Sequence, residues 1–242
     1  MIVNYPRMRH RAAWPNDLNT ALEFTSPEVF SISAPKNWDG RMEYTNGSGW
    51  KTWDGGEITS GSVENKNAIY IRGVGNTKVT NNNDKWTITG QEISCNGNIE
   101  RLLNWEVVES GKHPEMSGGC YNSMFYGCTS LTTAPSLPAT TLASSCYSSM
   151  FRGCTSLTTA PSLPATKLEF YCYNFMFSGC KKLKVSSVSS ETYTKAYRIP
   201  KSGTGTTGLR SLNSMFANTG GTFIGTPKIN TTYYLDESNT IV

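Results

Sequence analysis

Apolar residues fall into two regimes along this chain. From Leu22 to Ile88 they come in short alternating runs: Leu22–Phe24, Val29–Ile32, Arg41–Tyr44, Trp50–Trp53, Ala68–Arg72, Lys78–Thr80 and Lys85–Ile88. Alternation with period two is the mark of a half-buried strand. An Asn-Gly-Ser-Gly turn between Tyr44 and Trp50 makes a hairpin, and Asp39-Gly40 and Asp54-Gly55 are further turns. This texture predicts an antiparallel β-sandwich over residues 21–110. At its end Ile99, Leu102, Leu103 and Val107 stand at near-helical spacing and predict a short helix leading out.

The second regime is a repeat. Met124 to Leu142 recurs from Met150 to Leu168 with only two of 19 positions changed, Tyr126/Arg152 and Thr141/Lys167. A degraded third copy starts at Met176, so the period is 26 residues. Such self-similarity predicts a solenoid in which no unit can bury its apolar residues alone. Within a unit, Cys146, Tyr147, Met150 and Phe151 read as one or two helical turns ended by Gly153. Thr158-Thr159 then predicts a short strand stopped by Pro161. The array is expected over 111–230 with an inserted loop at 185–210, and the motif returns at Ser211–Phe216. Residues 231–242, with Tyr233-Tyr234-Leu235, form a tail or cap, and residues 1–20 an attachment arm. The whole reads as a β-rich α+β chain.

Composition narrows the chemistry. Six of seven cysteines step with the repeat: Cys120, Cys146 and Cys172 in one series, Cys128, Cys154 and Cys180 in the other. They read as a ladder of small buried thiols or, in an oxidising compartment, as disulfides. Their spacing fits no zinc pattern, and His10 and His113 stand alone, so no metal or other cofactor is expected. The net charge of +4 is spread out, with knots at Arg7–Arg11 and Lys181–Lys184, which does not fit nucleic-acid binding. No apolar stretch suits membrane insertion, and no secretory leader follows Met1. Asp39 and Asp54 could serve as a glycosidase pair, but both precede glycines, and turn formation explains them better. No nucleophile elbow or phosphate loop is present, so no enzyme is expected. Trp38, Trp50, Trp53 and Trp86 read as core, with a sugar-stacking platform as the alternative.

The unit CYxxMFxGCxxLxxAP resembles the BspA-like leucine-rich repeat of bacterial surface proteins. Met150-Phe151, Cys154, Leu157 and Pro161 match it, as do Met124-Phe125, Cys128, Leu131 and Pro135; Met176-Phe177, Cys180 and Leu183 match without the proline. The resemblance implies a leucine-rich-repeat-like solenoid used for recognition or adhesion at a surface. The segment before the repeats also resembles β domains in proteins of gut bacteria and their phages. With no export signal, the expected setting is the exterior of a phage virion, as a tail-fibre, tail-tip or receptor-binding protein made in the host cytoplasm. A bacterial cell-surface adhesin and a virion decoration protein are the alternatives. The expected partners are a host surface protein or glycan, and other virion proteins through the N-terminal arm. Fibre proteins are often homotrimers, although no heptad run demonstrates this here.

Comparing copies separates core from surface, because positions that hold the fold stay fixed. Tyr126, Arg152 and Ser178 share one variable column; Asn122-Ser123, Ser148-Ser149 and Asn174-Phe175 share another; Thr141 and Lys167 a third. Thr132-Thr133 and Thr158-Thr159 lie on the expected strand. The candidate contact residues are therefore Tyr126, Arg152, Thr133, Thr159, Lys167 and Phe175.

Overall fold

A computed structural model describes residues 17–81 and 84–242. The attachment arm expected at 1–20 lies almost wholly outside the described residues. The molecule is β-rich: among the described residues, 18 strands form five open sheets, with one α-helix and one 3-10 turn.

The first half follows the alternation closely. Its strands are β1 (Leu22–Ser26), β2 (Ser31–Ser33), β3 (Arg41–Thr45), β4 (Lys51–Trp53), β5 (Ile58–Thr59), β6 (Gly61–Val63), β7 (Lys66–Val74), β8 (Thr87–Thr89) and β9 (Ile93–Asn96). β3 and β4 form the expected hairpin, with Met42 opposite Trp53. β1 lies between β7 and β9, and β5, β2 and β8 make a separate sheet. The expected strand at Lys78–Thr80 is absent. Val79 and Thr80 instead give their N–H groups to the Cys120 carbonyl at 3.0 and 3.2 Å. Helix α1 (Arg101–Glu109) stands where Leu102 and Leu103 predict it, broken at Asn104 by extended backbone (φ −157°, ψ 98°).

The repeat copies are not helical, which corrects the sequence expectation. Each CYxxMF segment is a run of tight turns in which every second N–H bonds three residues back: Met124 to Tyr121, Tyr126 to Ser123, Cys128 to Phe125. The intervening N–H groups cross to the next copy. Tyr121, Ser123, Phe125 and Gly127 donate to Cys146, Ser148, Met150 and Arg152 at 2.7–3.0 Å. Tyr147, Ser149, Phe151 and Gly153 donate to Cys172, Asn174, Met176 and Ser178 at 2.8–3.0 Å. Tyr173, Phe175, Phe177 and Gly179 donate in turn to Ser211, Asn213, Met215 and Ala217. The conformation requires left-handed backbone every fourth residue, at Gly119, Ser123 and Gly127 and at the equivalent places in each later copy, with φ between 52° and 81°. Gly153 is therefore a left-handed turn residue rather than a helix terminator.

Side chains register with this ladder. Tyr121, Tyr147 and Tyr173 stack at 5.5 and 6.0 Å, and Phe125, Phe151, Phe177 and Phe216 at 5.6–6.0 Å. Such pairs contribute about 0.5–1.5 kcal/mol each beyond their buried area. Phe24 of β1 meets Phe125 at 6.2 Å and Trp86 at 6.3 Å, and Trp86 leads to Trp53 and Trp38. Trp38, Trp53 and Trp86 are buried, so they form core and not a sugar platform. One apolar cluster thus runs from Leu22 to Leu235.

Both ends are closed by chain outside the near-identical copies. Trp86 N–H bonds the Met124 carbonyl at 2.9 Å, where a preceding copy would donate. The short strand β10 (Leu131–Thr133) pairs with β9, and β11 (Thr159–Ala160) follows it through Thr158 N–H to the Thr132 carbonyl. The end of the second copy and the chain after it supply β12 (Lys167–Leu168), β13 (Lys184–Ser186), β14 (Lys195–Ile199), β15 (Thr206–Thr207), β16 (Gly220–Gly221), β17 (Thr231–Leu235) and β18 (Thr240–Ile241). β18 pairs with β11, and β17 lies between β13 and β14. Tyr197, Phe223 and Tyr233 meet Phe216 edge-on and end the ring ladder.

Phe151→Ala, which removes a ring between two others, is expected to cost about 3–5 kcal/mol. Thr141→Lys, an exposed change that reproduces the second copy, is expected to stay within about 0.5 kcal/mol. Urea denaturation of the two variants checks this; equal midpoints would show that the ring ladder does not hold the copies together.

Candidate functional site

The turn run leaves one residue per copy at the Tyr126/Arg152 column. Tyr126 is 40% exposed and Arg152 half-buried. Their N–H groups bond locally, to the carbonyls of Ser123 and Ser149, so the backbone beneath them is fixed. The Arg152 guanidinium carbon lies 5.6 Å from the Tyr126 ring centre and 4.7 Å from that of Phe175. An arginine from one copy thus meets aromatic rings of the copies before and after it. Lys85, from the segment that caps the first copy, completes the cluster with Nζ 5.8 Å from the Tyr126 ring. Among the described residues neither Lys85 nor Arg152 forms an ion pair. Phe175 holds a left-handed backbone (φ 54°) where the earlier copies carry serine. A bulky side chain is costly there.

Three sequence-predicted residues, Tyr126, Arg152 and Phe175, are therefore brought together. The other three lie elsewhere. Thr133 is on β10, its hydroxyl 3.3 Å from that of Ser94. Thr159 is only 5% exposed and its hydroxyl accepts the Ala134 N–H at 2.6 Å, so it serves the fold and is removed from the surface candidates. Lys167 is exposed on β12 and pairs with Glu169 at 2.7 Å. Ser178, the third residue of the Tyr126 column, is buried. Lys85 was missed in the sequence because it lies outside the repeat.

A second aromatic–cation group lies on the same turn run. Arg210 Nη1 donates to the Tyr171 hydroxyl at 2.6 Å and its guanidinium sits 5.8 Å from that ring, with Phe170 edge-on to Tyr171 at 4.1 Å. Again tyrosine stands in one copy and arginine in the next. A polar cleft of about 840 Å³ lies at the start of the strand side, lined by Thr25, Asn67, Ser94, Ser130, Ser156 and Lys182. Ser130, Ser156 and Lys182 are equivalent positions of three copies.

Neither a protein-family model, a curated protein nor a solved structure matches this chain.

The remaining chemistry-bearing groups are engaged structurally. All seven cysteines are free and buried. Cys154 and Cys180 donate their S–H to the carbonyls of Phe125 and Phe151 in the preceding copies, both at 3.0 Å. Burial raises every thiol, pushing Cys172 and Cys180 up to about 12. Asp39 takes the Thr77 N–H and hydroxyl at 2.8 and 2.6 Å, and Asp54 takes the Gly56 N–H at 3.0 Å. Burial works to raise the Asp39 carboxyl, and the Thr77 and Lys78 hydrogen bonds outweigh it and hold it low. Both aspartates are spent on loop geometry. His113 is not isolated: its Nδ1 is 2.9 Å from the buried Glu100 carboxylate. Burial raises Glu100, with His113 opposing. Among the described residues no cluster of His, Cys, Asp and Glu suits a metal ion, and no helix is long and apolar enough to cross a membrane.

The thiols give a pH signature. The folded chain keeps protons that the unfolded chain releases above the ordinary thiol value near 9. Fewer protons on the unfolded state mean that stability falls as pH rises, here above about pH 9, by at most about 1.4 kcal/mol per unit for each thiol. Urea midpoints at successive alkaline pH values should decline, and those between neutrality and pH 8 should be less sensitive to the thiols. Separately, Tyr126→Ala and Arg152→Ala should each cost no more than about 1 kcal/mol, since their ring–cation contacts are partly exposed; thermal unfolding checks that the variants are folded.

Proposed function

We propose that this chain is a non-enzymatic recognition protein. Its repeats would form a short leucine-rich-repeat-like solenoid of the BspA-like kind behind an N-terminal β-sandwich. It would bind a host surface from the exterior of a phage particle, as a tail-fibre, tail-tip or receptor-binding protein. One observation carries the recognition reading. Side chains that differ between otherwise near-identical copies, Tyr126 and Arg152, meet on one face with Phe175 and Lys85. Rings and cations that the fold does not need are the usual anchors of binding surfaces. The repeat core supports the reading from the other side, because its invariant residues are spent on stacking and leave these few as variable. The phage setting rests on the sequence resemblance.

Purified protein should bind host cells, and a Tyr126→Ala/Arg152→Ala double variant should lose about tenfold or more of that affinity, as loss of a binding anchor costs about 2 kcal/mol. Unchanged cell binding in the folded double variant rejects this face. Immunogold labelling of particles should stain the tail tip or fibres, whereas staining of the capsid or tail shaft rejects the attachment role.

A further inference from the structure

We infer that this face takes an acidic, carboxylate-bearing polysaccharide, with Arg152 clamping a carboxylate; the inference rests on reading the Tyr126–Arg152–Phe175 face as the recognition surface. The protein itself contains a model for the contact. Arg72 is buried between the rings of Trp50 and Trp105, at 3.8 and 4.4 Å. Its N–H edge is spent on Glu43 at 3.0 Å, Asp17 at 3.1 Å and Thr20 at 2.8 Å. Arg152 also lies against two rings, at the longer distances of 5.6 and 4.7 Å and only half-buried, and among the described residues its guanidinium N–H groups meet no protein acceptor. Rings on a guanidinium leave its edge as the binding element, and that edge matches a carboxylate bidentately. Lys85 adds a second charge beside Tyr126 and near Gly127.

Charge is divided unevenly between the halves. From residue 116 onward the chain carries ten Lys and Arg against four Asp and Glu, a net +6; up to residue 115 it carries twelve against fourteen, a net −2. Between Met116 and Ser190 the one carboxylate is Glu169, already paired with Lys167. Within that stretch no unpaired carboxylate competes for Arg152. The Tyr171–Arg210 pair repeats the tyrosine-then-arginine arrangement on the same turn run, which suits a polymer carrying repeated charges better than one small ligand. The cations of this face, Lys85 and Arg152, are few and lie against rings, unlike the continuous basic stripe that tracks a phosphate backbone. Exposed ring surface and neutral polar rungs fit sugar faces and hydroxyls.

The test uses the full chain with three immobilised probes: polygalacturonate, the same polymer with its carboxyl groups reduced to alcohols, and single-stranded DNA. The expected result is binding to polygalacturonate that weakens with salt and falls about tenfold or more on carboxyl reduction, as charged hydrogen bonds of this kind predict. Arg152→Ala should lose a similar factor, and Arg152→Lys should recover only part of it, because lysine keeps the charge without the fork. Equal binding to the reduced polymer, equal or tighter binding to DNA, or undiminished binding by the folded Arg152→Ala protein overturns the inference. If host cells are bound through Tyr126 and Arg152 while polygalacturonate is not, the recognition face stands and the acidic ligand is rejected. If neither is bound, both readings fall.

Discussion

A backbone that turns back on itself every four residues satisfies only half of its own N–H groups. In the CYxxMF segments the other half point along the stack, and each must find the carbonyl of another layer. Burying such groups unpaired would cost about 1–3 kcal/mol apiece, so no copy stands alone. This requirement fixes much else. The layer after each copy must present its carbonyls in the same places, which holds the turn conformation constant and with it the left-handed position every fourth residue. It also fixes which side chains lie over which, and that is why the tyrosines and phenylalanines form face-to-face columns. The insertion before Ser211 is accommodated because it leaves the turn run and returns in register: Tyr173 still finds Ser211, and Gly179 finds Ala217.

A ladder of this kind has two open ends, and the chain closes each with unlike material. At the start, Val79, Thr80 and Trp86 donate where a preceding copy would have donated, and β9 takes the place of an earlier strand beside β10. At the finish, β18 pairs with β11, and Tyr197, Phe223 and Tyr233 turn edge-on to Phe216. Edge-on rings present no further flat face, so stacking ends. The starting cap has a second consequence: it carries Lys85 to the edge of Tyr126. The proposed recognition cluster is thus assembled from the repeat and from its cap.

The strands of the first half were legible because alternation and turn dipeptides are local signals, and β1, β3, β4 and β7 lie where those signals put them. The turn run was not. Apolar residues at i, i+1, i+4 and i+5 suit a helical face, yet a four-residue turn repeat buries the same set. The distinguishing signal was present in the small residues, Gly119, Ser123 and Gly127, then Ser145, Ser149 and Gly153, which mark a left-handed position every four residues. Comparison of copies found Tyr126 and Arg152, because variation inside a stacked array reports freedom from the core. It failed at Thr159: a hydroxyl can be invariant in type and still be consumed by a neighbouring backbone, here the Ala134 N–H. Lys85 could not be found by the same comparison, since contact between a cap and a repeat leaves no periodic trace.

Under the proposed reading, what separates a structural arginine from a recognising one is how its edge is used. Arg72 and Arg152 both lie against pairs of aromatic rings, which restrict the guanidinium and reduce the entropy lost on binding. Arg72 has carboxylates built in around it, and its removal from water is compensated by them. Arg152 keeps the restriction without the compensation and is only half-buried. The left-handed backbone at Phe175 sharpens the contrast. Serine fills that place in the two earlier copies, so the fold does not require a phenyl ring there, yet the chain accepts the steric cost and places the ring 4.7 Å from the guanidinium. That expense, at a half-buried position outside the apolar core cluster, supports the proposal that Arg152 is held ready for an acceptor that arrives from outside.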